Sequence, residues 1–109
     1  MAVKVRIEFA GKSKDVVLTN QPQILGRSST AQIKIEDELL SRNHCSLYLK
    51  SGIATVRDLG SKNGTLLNNS CIEEVHFYIG DKVTIGDTVI QLVKTTMDPQ
   101  ELTLHRKSF

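Results

Sequence analysis

Val3, Val5, Ile7 and Phe9 alternate with Lys4, Arg6 and Glu8. A period of two puts the apolar set on one face and the charged set on the other, so residues 2–9 are predicted to form a half-buried strand. Shorter runs of the same kind recur at residues 16–19, 24–27, 33–35, 45–50, 54–59, 65–67, 75–79, 82–85 and 88–93. Between them stand Ala10-Gly11-Lys12, Asn20-Gln21-Pro22, Ser51-Gly52, Asn63-Gly64, Asn68-Asn69, Gly80-Asp81 and Gly86-Asp87, residues that tolerate positive φ or preset a turn. About ten short strands separated by turns predict an all-β fold, an antiparallel β-sandwich. No segment before Asp98 has helical periodicity. After Val93 the pattern changes: Asp98-Pro99-Gln100-Glu101 reads as N-cap, N1 proline and N3 glutamate ahead of Leu102 and Leu104. Residues 1–94 are therefore expected to form the domain, and residues 95–109 a tail, a short helix or a disordered linker.

The chain has 109 residues, which suits one domain around one core. Its 39% hydrophobic and 24% charged residues resemble an ordinary folded domain and exclude disordered or collagen-like classes. No apolar run approaches the ~18 residues that cross a bilayer, and Met1-Ala2-Val3-Lys4-Val5 lacks the apolar stretch of an export signal. Neither spanning nor export is expected. Fourteen Lys and Arg against 12 Asp and Glu leave a net charge of +2, too near balance to gather a polyanion through a global field. Anion recognition must then come from a local cluster. Cys45 and Cys71, without a secretory signal, suit reduced thiols rather than a disulfide framework and suggest the cytoplasm, or the nucleus in a eukaryote.

In a sandwich the strands hold position and the end loops recognise, so polar residues gathered in loops are informative. Three loops qualify: Gly26-Arg27-Ser28-Ser29, Ser41-Arg42-Asn43-His44 and Ser61-Lys62-Asn63-Gly64-Thr65. They offer guanidinium groups, an ammonium, hydroxyls and an amide, a set rich in donors and poor in acceptors. A phosphomonoester is its complement, with roughly −1.5 to −2 charges at neutral pH and three acceptor oxygens that Arg grips bidentately.

Gly26-Arg27, Ser41-x-x-His44 and Ser61-x-Asn63-Gly64-Thr65, in this order and spacing, resemble the forkhead-associated (FHA) domain. The resemblance runs from about Val3 to Val93, because residues 79–86 are similar to the family's late strand pair. No motif is specific alone; the three in register are. The resemblance implies a sandwich of about eleven strands that binds phosphothreonine in an extended peptide, in Ser/Thr kinase signalling, with no catalytic group and no cofactor. By this likeness Arg27 and Ser41 contact the phosphate. Arg42 and Lys62 occupy positions from which family members often add a phosphate contact. Asn63 bonds the peptide backbone beside the phosphothreonine. Gly26 admits the turn, His44 braces the loops from behind, and Gly64 and Thr65 support the site. The expected partner is a phosphothreonine-containing protein, bound by a monomer; neither nucleic acid nor membrane is expected.

Each residue also has a plainer reading. Arg27 alone is a solvated strand-end charge, Ser41 caps a turn, and Arg42 and Lys62 are as readily solvated cations as ligands. Asn63-Gly64 is by default a type I′ hairpin turn, a role compatible with presenting the Asn amide. A hydrolase triad of Ser41, His44 and Asp37 or Asp58 would need a nucleophile elbow that is missing. Metal binding by His44, Cys45, Cys71 and His76 lacks the short paired ligand spacings. Single-stranded nucleic acid would need aromatics near the basic groups, and Phe9, Tyr48, Phe77, Tyr78 and Phe109 lie outside the three loops. The stronger alternative keeps the fold and docks an unphosphorylated partner on a sheet face. In the tail, Thr95-Thr96-Met97-Asp98 puts an acidic residue three positions after Thr95. Phosphorylated Thr95 captured by a second molecule would give dimers, although the preferred reading is that the threonines end the strand and Asp98 caps the tail helix. A lone domain of this kind is usually one module of a longer chain.

Overall fold

The computed structural model describes residues 3–94 and, among these, shows eleven strands and no helix. They are β1 (Lys4–Phe9), β2 (Lys12–Val17), β3 (Gln23–Gly26), β4 (Ile33–Lys34), β5 (Cys45–Lys50), β6 (Ile53–Asp58), β7 (Leu66–Leu67), β8 (Ser70–Cys71), β9 (Glu74–His76), β10 (Val83–Ile85) and β11 (Thr88–Lys94). The expected tail helix, and Thr95 with it, lie outside the described residues. Two sheets form, one in the order β2-β1-β11-β10-β7-β8 and one in the order β4-β3-β5-β6-β9. All described pairings are antiparallel except β3 with β4. That parallel step departs from the purely antiparallel expectation, and it obliges residues 27–32 to loop back across the end of the sheet.

The alternation of β1 does what the sequence predicts. Val5 and Ile7 are 0% and 1% exposed, and they join Ile85 and Ile90 of the same sheet and Leu25, Leu47 and Val56 of the other in one hydrophobic cluster. Burying such side chains from both sheets is the main force holding the layers together, at about 1.5–3 kcal/mol each. Phe77, just past β9, is fully buried in the same cluster. Among the described residues no buried side-chain nitrogen or oxygen lacks a hydrogen-bond partner.

Three expectations need correction. The second strand was expected at residues 16–19 but spans Lys12–Val17. Its register sets Lys12 opposite Phe9, Lys14 opposite Ile7 and Val16 opposite Val5, so two of the three positions on its core-facing side are lysines. An edge strand can carry charge there because the stems cover apolar surface while the ammonium groups reach water; the hydrophobic alternation is thereby erased. The third-from-last run, expected at 75–79, ends at His76. Finally, β8 was not foreseen: Ser70 and Cys71 have no apolar signature, and only the turn at Asn68 and Asn69, with φ of 49° and 73°, brings them onto β7.

The topology also sets where recognition can occur. β6 belongs to the five-stranded sheet and β7 to the six-stranded one, so residues 59–65 cross between layers. That crossing meets the β3–β4 and β4–β5 loops at one end of the sandwich.

Candidate functional site

At the end of β3, Gly26 runs against the β4–β5 loop. A Cβ built there would lie 2.0 Å from the Arg42 carbonyl oxygen and 2.8 Å from that of Ser41. The glycine is thus required by space, not by the turn conformation expected of it. The close approach lets the Arg27 amide donate to Ser41 O at 3.1 Å and the Ser28 amide donate to Arg42 O at 3.1 Å. Two loops are laced together through main chain.

The side chains expected to grip a ligand are already oriented. Arg27 Nε donates to the Leu40 carbonyl at 2.6 Å, which aims the terminal guanidinium nitrogens outward. Asn63 Nδ2 donates to the Leu39 carbonyl at 2.8 Å, leaving Oδ1 and one amide hydrogen for another partner. Ser41 Oγ accepts the Lys62 amide at 2.9 Å, so its own hydroxyl hydrogen remains to be donated. Arg27, Arg42, Lys62 and Asn63 are exposed. Among the described residues, none of the three cations is in a salt bridge. Arg42 is brought to the cluster by its backbone, and among the described residues its side chain and that of Lys62 make no hydrogen bond.

His44, fully buried, stands behind this row. Nδ1 accepts the Ser41 amide at 3.1 Å; Nε2 therefore carries the hydrogen and donates to the Gly64 carbonyl at 2.8 Å. One ring fixes the β4–β5 loop and the β6–β7 crossing together. With both ring nitrogens on backbone, His44 is not placed as a base for Ser41. His76 Nδ1 pairs with Thr55 Oγ1 at 2.8 Å, away from His44.

The crossing has its own anchor, which the sequence reading considered only as a triad member. Asp58 Oδ2 accepts the amides of Gly60 (3.0 Å) and Ser61 (3.1 Å), while Oδ1 accepts the hydroxyls of Ser61 (2.5 Å) and Thr65 (2.7 Å). Ser61 Oγ in turn accepts the Gly64 amide at 2.9 Å. Partial burial pushes the Asp58 carboxyl up, but the Ser61 and Thr65 hydroxyls and the two amides outweigh it and hold the group below the usual carboxylate range. Of the Asn63-Gly64 pair only Gly64 has positive φ, at +85°. The expected type I′ hairpin turn is therefore absent, because the strands on either side belong to different sheets and impose no hairpin twist. The spacing Asp58-x-Gly60-Ser61 was the available signal: a short carboxylate two residues before a glycine captures nearby amides.

The chain matches the family model described as FHA domain over residues 23–86 and belongs to that family. FHA domains are interaction modules rather than catalysts. The chain is 37% identical over 78 residues to the FHA domain-containing protein FhaB of Mycolicibacterium smegmatis, covering 71% of this chain and 50% of that protein. It spans half or less of the curated relatives it matches. Among solved structures, it is similar to a domain from a structural and functional analysis of phosphothreonine-dependent FHA domain interactions, at 26% identity and a TM-score of 0.75, over 89% of this chain and 100% of that one. It is also similar, at 27% identity and a TM-score of 0.71, to the FhaA FHA domain complexed with the intracellular domain of Rv3910, over 84% and 99% of the two chains.

Proposed function

We propose that residues 1–94 form a phosphothreonine-dependent protein–protein interaction module whose ligand is a phosphorylated protein in Ser/Thr kinase signalling, and that the domain acts by binding alone. The observation that carries this reading is the row of oriented but incompletely used donors: Arg27 and Asn63, each held by one bond to a neighbouring carbonyl, flank a Ser41 hydroxyl with its hydrogen free. Groups fixed before a ligand arrives lose little freedom on binding. Arg27 and Ser41 take the phosphate, Arg42 and Lys62 add positive potential, and Asn63 holds the peptide main chain in register. Gly26, His44, Gly64 and Thr65 keep these groups in place. The phosphothreonine-dependent interactions of a similar FHA domain support the same assignment.

Calorimetric titration with a phosphothreonine peptide and its unphosphorylated twin tests it. Binding of the phosphorylated form alone is expected, weakening as pH falls through about 6, where the phosphate gains its second proton. Equal binding of the twin would replace this reading with docking on a sheet face.

A further inference from the structure

Asp37 lies beyond β4, outside the three donor loops, and is 1% exposed. Its Oδ1 accepts the Leu39 amide at 2.9 Å, and its Oδ2 accepts the Asp87 amide at 2.7 Å and the Thr88 hydroxyl at 2.9 Å. The Asp37 carbonyl accepts the Leu40 amide at 3.0 Å. Asp87 and Thr88 sit at the turn from β10 into β11, fifty and 51 positions along the chain. That turn is pressed close: a Cβ on Gly86 would fall 2.8 Å from Leu39 Cβ and 2.9 Å from Asp37 Oδ2. Residues 37–40 are thus held from one side by the β10–β11 turn. From the other side, the consecutive carbonyls of Leu39 and Leu40 receive Asn63 Nδ2 and Arg27 Nε.

We propose that Asp37 is a positioning residue of the phosphopeptide site, fixing the two carbonyls that orient Asn63 and Arg27 and so tying the β10–β11 turn to ligand affinity. This rests on the function proposed above. Residues 36–40 belong to no strand, so no ladder sets the direction of these carbonyls; the carboxylate does. All three partners of Asp37's side chain are donors, which an acceptor-only carboxylate satisfies. The isosteric amide cannot, since whichever way Asn turns, its NH2 meets a donor. Disorder in this bracket releases Arg27 and Asn63 together without touching the ligand.

The test uses Asp37→Asn, Thr88→Val, which deletes one hydroxyl from the bracket, and Thr88→Ser, which restores it. In unliganded protein, nitrogen-15 NMR reads the Arg27 Nε–H and the Asn63 side-chain amide. Both signals should move in Asp37→Asn and Thr88→Val and return towards wild type in Thr88→Ser. Phosphothreonine-peptide affinity should fall about tenfold or more in Asp37→Asn, the worth of roughly one charged hydrogen bond. In a cycle with Arg27→Ala plus Asn63→Ala, the further loss from Asp37→Asn should largely vanish. Unmoved Arg27 and Asn63 signals, or a full additive loss in the cycle, would overturn the proposal. If Asp37→Asn does not fold, Thr88→Val with the same signals decides. A wild type that fails to bind the phosphopeptide would instead sink the functional reading, and the NMR arm would still judge the bracket.

Discussion

Arg27 and the two other cations of the site face the same solvent, yet the structure separates them by what they touch. Arg27 is fixed through Nε; Arg42 and Lys62 have side chains without a partner among the described residues. Arg27→Ala removes a forked, oriented charge and should cost at least about 2–3 kcal/mol of phosphopeptide affinity, one to two decades, by calorimetry. Arg27→Lys should rescue little, because a lysine keeps the charge but has neither the Nε donor for Leu40 O nor the planar fork. Equal affinity of wild type and Arg27→Ala would end the assignment. Arg42→Ala and Lys62→Ala should each cost less than ~1 kcal/mol, mostly lost in high salt, as expected of solvated charges. The donors were legible in the sequence because each belongs to a short contiguous motif. Asp58 and Asp37 were not, since an acidic residue read alone is indistinguishable from a solvated one until its partners arrive; for Asp37 two of the three are fifty and 51 residues away.

Strands whose inward positions are apolar were read nearly to the residue, as in β5, whose expected range of 45–50 is that observed. The edge strands β2, β8 and β9 were missed or shifted, because pairing with a neighbour, and not their own composition, makes them extended. The three loops gained their meaning only when the sheet order brought them to one end. Gly26 shows how narrow that convergence is. Gly26→Ala sets a methyl within 2.0 Å of a main-chain oxygen, which no side-chain rotation relieves. Either β3 or the β4–β5 loop must move, and overpacking of this kind costs about 1–3 kcal/mol or more. Thermal unfolding should report lower stability, and any folded protein should bind the phosphopeptide more weakly than wild type because Ser41 and Arg42 are displaced. A variant with wild-type stability and affinity would show that this loop contact is dispensable.

Across the whole molecule, the two free cysteines report on whether the sheets remain closed over the core. Cys71 is exposed on β8, whereas Cys45, on β5, is completely buried in the hydrophobic cluster. Burial, with Asp58 adding like-charge repulsion, pushes the Cys45 thiol up from its ordinary 9.0 to about 12. Unfolded chains release that proton near 9 while the folded protein holds it until about 12, so the contribution to stability is fully present below the lower value. It is lost progressively as pH rises through the upper one. Tyr48 acts in the same direction, raised to about 12 by burial and by its hydrogen bond to Glu74. Urea unfolding midpoints should therefore fall steeply between about pH 9 and pH 12. In Cys45→Ala that alkaline fall should be shallower, against a loss of about 1 kcal/mol at neutral pH for the emptied space. A thiol reagent should modify Cys71 at once and Cys45 only at the rate of unfolding. Cys45 modification as fast as that of Cys71 in the native protein, or an alkaline limb unchanged in Cys45→Ala, would mean that the thiol is not sealed between the sheets.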